Sequence, residues 1–265
     1  MRSLKGILVV TAVMLLATGA TAEMTSEGQG AANQPPNWVN QTTLYNQTAN
    51  YAGNLASVQN FEAAYDAYDA EGADDFVVTW ADGWNIEQVG AIAGYWNGTG
   101  PAASVNVVLY SDASGMPGSA VCTYMNNPYT DDGAGNFLMD FSGSPCYLPS
   151  GTYWAGIQGN VDFAVGGQFG WGTETVQTGA LAHWQNPADG FGSGCTTWTP
   201  RISCSTNLDP DFSFLLNGTE AVGPTPTPPP PSGAAVPVPA MSNFGMVAMI
   251  LLVIGVAILV MWRRS

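Results

Sequence analysis

The stretch SVNVVLY, residues 104–110, decides the fold class of this chain. Its apolar residues Val105, Val107 and Leu109 recur at every second position, which is typical of a β-strand with one buried face. The cluster SGMPG, residues 114–118, then ends the pattern with turn-forming residues. A short strand that stops at a Gly/Pro turn indicates antiparallel β-structure.

Similar short apolar segments occur on both sides of this stretch, with Gly or Pro at their junctions. Regular short strands with turn signals are typical of a sandwich or jelly roll. Parallel βαβ units would need long crossover connections, usually helical, and the sequence lacks such patterns. We therefore predict an all-β fold, an antiparallel, jelly-roll-like β-sandwich over residues 61–220. The predicted strands are Phe76–Trp80, Ile86–Trp96, Ser104–Tyr110, Ala120–Met125, Asn136–Phe141, Thr152–Gln158, Gln168–Gly172, Leu181–Trp184 and Asp211–Leu216.

The N-terminal residues 1–22 have the features of a secretory signal peptide. Two basic residues precede an apolar stretch, and Ala20-Thr21-Ala22 fits the small-residue cleavage rule. Residues 23–60 are polar and have no sustained periodicity. We predict that they form a flexible leader with one short strand from Trp38 to Leu44.

The C-terminal end has the features of a spacer and a membrane anchor. Residues 221–240 are rich in Pro and Thr, which favours an extended, semi-rigid linker. Within residues 241–265, nineteen uncharged residues from Phe244 to Trp262 are long enough to span a bilayer as a transmembrane helix. Arg263 and Arg264 follow, and the positive-inside rule keeps them cytoplasmic and the body outside.

The charge of the body excludes several classes of partner. Between Glu23 and Glu220 the chain carries all twenty of its carboxylates and one cation, Arg201, so the net charge of this region is −19. Binding a phosphate backbone needs clustered Lys or Arg. The sequence therefore argues against nucleic acid and against adsorption to an anionic membrane surface. Anionic polysaccharide would also be repelled unless divalent cations bridge it.

Four cysteines in an exported chain predict two disulfides, for which three connectivities exist. We favour the sequence-local pairs Cys122–Cys146 and Cys195–Cys204. A zinc site is the alternative, but the chain has no C-x-x-C pair and a single histidine.

The tail resembles bacterial C-terminal sorting signals of the PEP-CTERM/IPTL-CTERM type. Residues 238–245 read VPAMSNFG, with Asn243 and Ala240 as departures from the IPTL pattern. The resemblance implies a Gram-negative bacterium, an exosortase-like sorting enzyme and a final location at the cell surface, often alongside exopolysaccharide production. The residues that carry it are Pro239, Ser242, Gly245, Arg263 and Arg264.

The body resembles an uncharacterised family of bacterial secreted β-sandwich domains over residues 62–218. This resemblance implies a fold and a location, and it supplies no catalytic residues. It rests on ADDFVV (73–78), YWNGTGP (95–101), GTYW (151–154), WQNP (184–187) and GFGSGCTTW (190–198).

Five acidic residues crowd the ten positions before the strand at Phe76, and they form a candidate calcium site. Carboxylate oxygens suit calcium, although the spacing lacks the EF-hand pattern. Solvated surface charge is the alternative interpretation. The candidate ligands are Asp66, Asp69, Glu71, Asp74 and Asp75.

Aromatic residues with polar neighbours suggest a sugar-binding surface, because a flat ring can stack on a sugar while amides bind its hydroxyls. The candidates are Trp184, Asn186 and Trp198. Large aromatics more often fill a core, and we predict that role for Trp154 and Trp171.

The sequence offers little support for catalysis. His183 is the only histidine, and no G-x-S-x-G motif accompanies it. We predict a non-catalytic surface or extracellular-matrix protein that binds glycan or exopolysaccharide. A self-associating structural or adhesive protein is the first alternative. A glycoside hydrolase is the second, because paired carboxylates are defined by geometry rather than by sequence spacing.

Overall fold

The computed structural model describes residues 23–30, 41–133 and 136–223, within one compact unit that ends at Gly223. Strands dominate. The helical segments in these ranges are a kinked 3-10 segment at Ala63–Tyr68 and single short turns at Phe163–Gly166 and Arg201–Ser203. The strands are β1 Glu27–Gln29, β2 Thr42–Gln47, β3 Tyr51–Ser57, β4 Gln59–Asn60, β5 Glu71–Val78, β6 Trp84–Trp96, β7 Ser104–Asp112, β8 Pro117–Asn127, β9 Tyr129–Asp131, β10 Asn136–Asp140, β11 Cys146–Leu148, β12 Gly151–Asn160, β13 Gln168–Glu174, β14 His183–Gln185, β15 Thr199–Pro200, β16 Asp211–Phe212 and β17 Phe214–Glu220.

These strands form two sheets, and this arrangement confirms the all-β prediction. The first has ten strands in the order β1-β3-β13-β6-β10-β9, with β11 and β17 on β6, β16 on β13 and β2 on β17. The second has seven strands in the order β15-β14-β5-β12-β7-β8, with β4 on β12. The pairing of β4 with β12 is parallel, and the other strand pairs described here are antiparallel.

The alternation in residues 104–110 corresponds to a strand with one face in the core. Val105, Val107 and Leu109 on β7 are fully buried, and they belong to the same core cluster as Phe137 and Phe169 of the ten-stranded sheet. Burying a large apolar side chain contributes about 1.5–3 kcal/mol relative to leaving it exposed. The opposite face of β7 is therefore left for solvent or for another element.

The prediction of a flexible leader over residues 23–60 is wrong for the part that the structure describes. Strands β1 to β4 lie in it, and Leu55 and Val58 are buried in the core. Gln59 is also buried and donates from Nε2 to the Val161 carbonyl at 2.8 Å. These strands were missed because Asn, Gln and Thr interrupt their apolar pattern. The sandwich includes residues 42–60, so the predicted boundary at residue 61 lies too late.

Both predicted disulfides are present. Cys122–Cys146 links β8 of one sheet to β11 of the other, and Cys195–Cys204 closes the loop between β14 and the turn after β15. Each closure stabilises the fold by roughly 2–4 kcal/mol, mainly by restricting the unfolded chain.

The predicted signal peptide, the predicted linker from residue 224 onward and the predicted sorting tail lie outside the described residues. This includes Pro239, Ser242, Gly245, Arg263 and Arg264. Within the described ranges, no helix has the length and apolar character needed to cross a membrane.

Candidate functional site

The outer face of the seven-stranded sheet carries an open depression of about 440 Å³. Because Val105, Val107 and Leu109 point into the core, their neighbours on β7 face outward. Asn106 lies opposite Gln158, and Val108 lies opposite Gly156. We call this depression the outer groove. Its lining includes Glu71, Asn106, Val108, Tyr110, Met125, Gly156 and Gln158.

Gly156 forms the floor of the outer groove. A Cβ atom at this position would lie 2.8 Å from Cε2 of Tyr110 and 3.3 Å from the carbonyl oxygen of Val108. The missing side chain therefore lets the Tyr110 ring pack on the backbone of β12.

An aromatic pair stands at one end of the outer groove. The rings of Tyr110 and Trp198 meet edge to face, with centroids 5.7 Å apart and an interplanar angle of 74°. Both residues are half-buried, so part of each ring contacts solvent. Trp198 lies on the segment between β14 and β15, which the Cys195–Cys204 disulfide helps to hold against the sheet.

Side-chain amides line the groove beside this pair, and they are linked by hydrogen bonds. Asn106 donates to Oε1 of Gln158 at 3.1 Å, and Asn160 donates to Oδ1 of Asn106 at 3.0 Å. Gln158 in turn donates to the Ala70 carbonyl at 3.1 Å. These bonds fix the orientation of the amides before any ligand arrives, which reduces the entropy lost on binding.

Carboxylates define the other end of the groove. Glu71 accepts a hydrogen bond from Nε2 of Gln185 at 3.0 Å. Glu71 and Gln158 also line an adjoining depression of about 550 Å³, which contains Asp66 and Asp69. The groove therefore runs from an aromatic end to an acidic end across the strands.

No basic side chain of the described residues faces the groove, because Arg201, the one Lys or Arg among them, is buried elsewhere. Its guanidinium donates to Oδ1 of Asn207 at 3.3 Å and lies 3.8 Å from Oε1 of Glu27. Burial lowers the pKa of Arg201, although the neighbouring carboxylates of Asp209 and Glu27 favour its charged form. The groove therefore has a negative potential.

Two of the three predicted sugar ligands are structural residues. Trp184 is only 2% exposed, and its Nε1 donates to the Ser57 carbonyl at 2.7 Å. Asn186 is fully buried, and its Nδ2 donates to the carbonyls of Ala67 and Asp69, both at 2.8 Å. The prediction is wrong for both, because neither can present its side chain to a ligand. Trp198 is the one of the three that is half-buried, and it contacts Tyr110 at the end of the groove.

The five predicted calcium ligands do not come together. Asp66, Asp69 and Glu71 border the adjoining depression, whereas Asp74 and Asp75 are buried farther along β5. Across the ranges that the structure describes, no three acidic, histidine or cysteine side chains are placed to hold a metal ion. Strand alternation explains the failure, since neighbouring residues on β5 point to opposite faces.

The remaining candidate residues are packed in the interior. Trp171 is fully buried in the core cluster between the sheets, as predicted. Trp154 is also fully buried, but it lies opposite Asp75 and Tyr110 on the outer face of the seven-stranded sheet and not in that cluster. His183 is also buried, with its ring edge to face against Trp154 at 5.0 Å and Nδ1 2.9 Å from the Leu181 carbonyl. Burial lowers the pKa of His183, so the neutral ring is favoured at pH 7.

Sequence reasoning missed Asn106, Tyr110 and Gln158 as groove residues, although the signal was present. Residues 104–110 alternate, so the polar and aromatic residues between the buried ones had to face outward. The predicted strand ends at Tyr110, and this position does not by itself indicate a surface aromatic.

The fold and the groove define the class of this chain, an acidic, disulfide-linked β-sandwich with a groove across one outer sheet face. Comparison with known proteins gave no match to a family model, a curated protein or a solved structure.

Proposed function

We propose that this chain is a non-catalytic, exported surface or extracellular-matrix protein that binds a neutral glycan or exopolysaccharide in its outer groove. The observation that carries the proposal is the position of the Tyr110–Trp198 pair beside the linked amides of Asn106 and Gln158. An aromatic ring packs on the apolar face of a sugar. Gln158, held in place by the buried Asn106, keeps one amide hydrogen and one oxygen lone pair for the sugar hydroxyls.

The charge of the groove supports a neutral ligand. Glu71 lies in the groove, and Asp66 and Asp69 lie next to it, whereas Arg201, the one Lys or Arg among the described residues, lines neither depression. A polyuronate would therefore meet repulsion at the acidic end, and the net charge of −19 would oppose its approach. A neutral chain meets neither obstacle.

The proposed location rests on the sequence of the two ends. The signal peptide over residues 1–22 and the apolar segment Phe244–Trp262 support export and at least transient membrane anchoring. The sorting tail supports recognition by an exosortase-like enzyme and release to the cell surface. The two disulfides fit an oxidising compartment. In fractionated cells, we expect the chain at the surface, and a cytoplasmic pool would contradict this location.

Self-association through sheet edges is a weaker account of the same molecule. The terminal strands β1, β9 and β15 have only two or three residues. The long terminal strand β8 has three register shifts in its pairing with β7. Short edges and bulges both hinder the pairing of one sheet edge with another.

The proposal is tested on residues 23–223, which contain all the described strands and both disulfides. Neutral and acidic polysaccharides are screened for retention with calcium and with chelator. We expect retention of a neutral glycan in both conditions, weakened roughly tenfold or more by Tyr110→Ala, a loss of about 1.4 kcal/mol. Tyr147→Ala is the matched control, because Tyr147 is 52% exposed on β11 in the other sheet.

Three outcomes would contradict the proposal. Retention of no glycan would remove the binding role, and equal losses in the two Tyr variants would place binding elsewhere. Release of shortened oligosaccharides during incubation would instead favour a glycoside hydrolase.

A further inference from the structure

The middle of the molecule contains more buried negative charge than it can neutralise. Asp74, Asp75, Glu174 and Asp211 are each at most 5% exposed, and Arg201 is the one buried cation among the described residues. Asp74 and Asp75 lie on β5 of the seven-stranded sheet, whereas Glu174 lies directly opposite Asp211 where β13 pairs with β16. Four buried carboxyls against one guanidinium cannot all remain charged at low cost.

Asp74 bridges the two sheets. One of its oxygens accepts hydrogen bonds from Nε2 of Gln47 at 2.8 Å and from the Phe212 amide at 2.7 Å. The other accepts from the Asp75 amide at 2.9 Å. These donors occupy both oxygens of Asp74, so its carboxyl belongs to the framework that joins β2, β5 and β16.

Asp75 and Asp211 hold the segment between β13 and β14, residues 175–182, by its backbone. Asp75 accepts from the Ala180 amide at 2.8 Å, and Asp211 accepts a short hydrogen bond from the Thr178 amide. The second oxygen of Asp211 is buried and receives no hydrogen bond, because the nearby Ala182 amide donates to the Pro210 carbonyl at 2.9 Å. A proton on this oxygen would remove the uncompensated charge.

The electrostatic surroundings favour bound protons. Burial, opposed in part by backbone hydrogen bonds and reinforced by neighbouring carboxylates, raises the pKa of Asp75 to about 6 and that of Asp211 to about 7. The pKa of Asp74 is raised well above its usual value, first by burial and then by Asp211. The charged and titratable neighbours of these three carboxyls are Tyr45 on β2, Asp112 on β7, Glu174 on β13 and Arg201 after β15.

We propose that Asp75 and Asp211, which contact residues 175–182, form a proton-operated latch beside the framework carboxyl of Asp74. In mild acid the uncharged carboxyls let the segment close over them. As the surroundings become alkaline, the cost of burying charge and the repulsion between carboxylates outweigh the hydrogen bonds from Thr178 and Ala180, and the segment loosens. The folded chain binds more protons than the unfolded chain between the usual carboxyl pKa, near 3.8, and the raised values of about 6 and 7. The stabilisation is therefore fully present below about pH 4 and is lost as the pH rises through 6 and 7.

The latch is tested by urea unfolding of residues 23–223 from pH 5 to pH 8, comparing the native chain with Asp211→Asn. The amide of Asn keeps an oxygen for Thr178 but does not titrate. We expect the folding equilibrium constant of the native chain to fall roughly 1,000-fold over this range, and that of Asp211→Asn to fall only about tenfold, because Asp75 alone then titrates. Asp82→Asn is the matched control, since Asp82 is exposed and its replacement changes the net charge equally.

A second readout is local. Hydrogen-exchange protection of the Thr178 and Ala180 amides should fall between pH 5 and pH 8 in the native chain, after correction for intrinsic exchange. This protection should change less with pH in Asp75→Asn, because Asp75 is the acceptor of the Ala180 amide. The latch would be overturned if the unfolding stability of the native chain, Asp211→Asn and Asp82→Asn depended equally on pH. It would also be overturned if the protection of the Thr178 and Ala180 amides did not change between pH 5 and pH 8.

Discussion

Glu71 and Asp75 lie four residues apart on β5 and point to the same outer face of the sheet, yet their surroundings differ completely. Glu71 remains accessible at the groove, where Gln185 donates to it. Asp75 lies beneath residues 175–182, with the Ala180 amide on its carboxylate. One strand therefore supplies a residue to the proposed binding groove and a residue to the buried cluster, and the covering segment determines which of the two surroundings each has.

The comparison shows why acidic residues that are adjacent in sequence need not form one site. Asp74 points between the sheets, Asp75 points outward under a covering segment, and Glu71 lies where that cover ends. The twenty carboxyls of the body are thus divided between a solvated surface and a buried cluster in which burial raises the carboxyl pKa values.

The largest expected effect comes from breaking the buried end of β5. Asp74→Ala removes the acceptor of Gln47 Nε2 and of the Phe212 amide, and it leaves a small cavity. We expect a loss of about 3 kcal/mol in the free energy of unfolding at pH 5. Glu71→Ala on the same strand should cost less than about 1 kcal/mol. Urea denaturation measures the free energy of unfolding of both variants. Similar losses in Asp74→Ala and Glu71→Ala would contradict the difference drawn between the two ends of β5.

The next effect concerns the segment that carries Trp198. Replacing Cys195 and Cys204 together by Ser opens a disulfide with a sequence separation of 9, which should cost about 2–3 kcal/mol. Because this segment positions Trp198 against Tyr110, glycan affinity should fall as well. Replacing Cys122 and Cys146 provides the comparison, since that disulfide lies away from Trp198 and its loss should affect stability alone. Equal affinities in the two folded double variants would contradict a positioning role for the loop.

The smallest of the three main effects on stability is expected at the groove, at Gly156. Gly156→Ala places a methyl group 2.8 Å from the Tyr110 ring, so the ring must shift away from the floor of the groove. We expect a loss of about 1 kcal/mol in stability and a reduction of roughly tenfold in glycan affinity. Isothermal titration on the folded variant measures the second effect. An unchanged affinity would show that the floor is not part of the binding surface.

The sequence predicted the two-sheet fold because alternation and Gly/Pro turns are local signals. It also predicted both disulfides, and the inward face of residues 104–110. Trp184 and Asn186 were misassigned because their burial depends on distant partners, the Ser57 carbonyl and the carbonyls of Ala67 and Asp69. Such contacts leave no periodic trace in the sequence.

The groove itself depends on neighbours across strands rather than along the chain. Gly156 lies opposite Val108, and the contact of its bare backbone with Tyr110 requires the register of β12 and β7. A prediction from alternation alone places Asn106 and Tyr110 outside the core, but it cannot show that a glycine on the next strand leaves room between them.

The most direct test of glycan binding in the outer groove is a heteronuclear NMR titration of labelled residues 23–223 with a retained neutral oligosaccharide. The account predicts shifts at the Trp198 indole and at the amides of Asn106, Gly156 and Gln158, and none at the indole of Trp80, which is 44% exposed and donates to the Ala221 carbonyl. Shifts confined to Trp80 and its surroundings, with the groove unchanged, would contradict it.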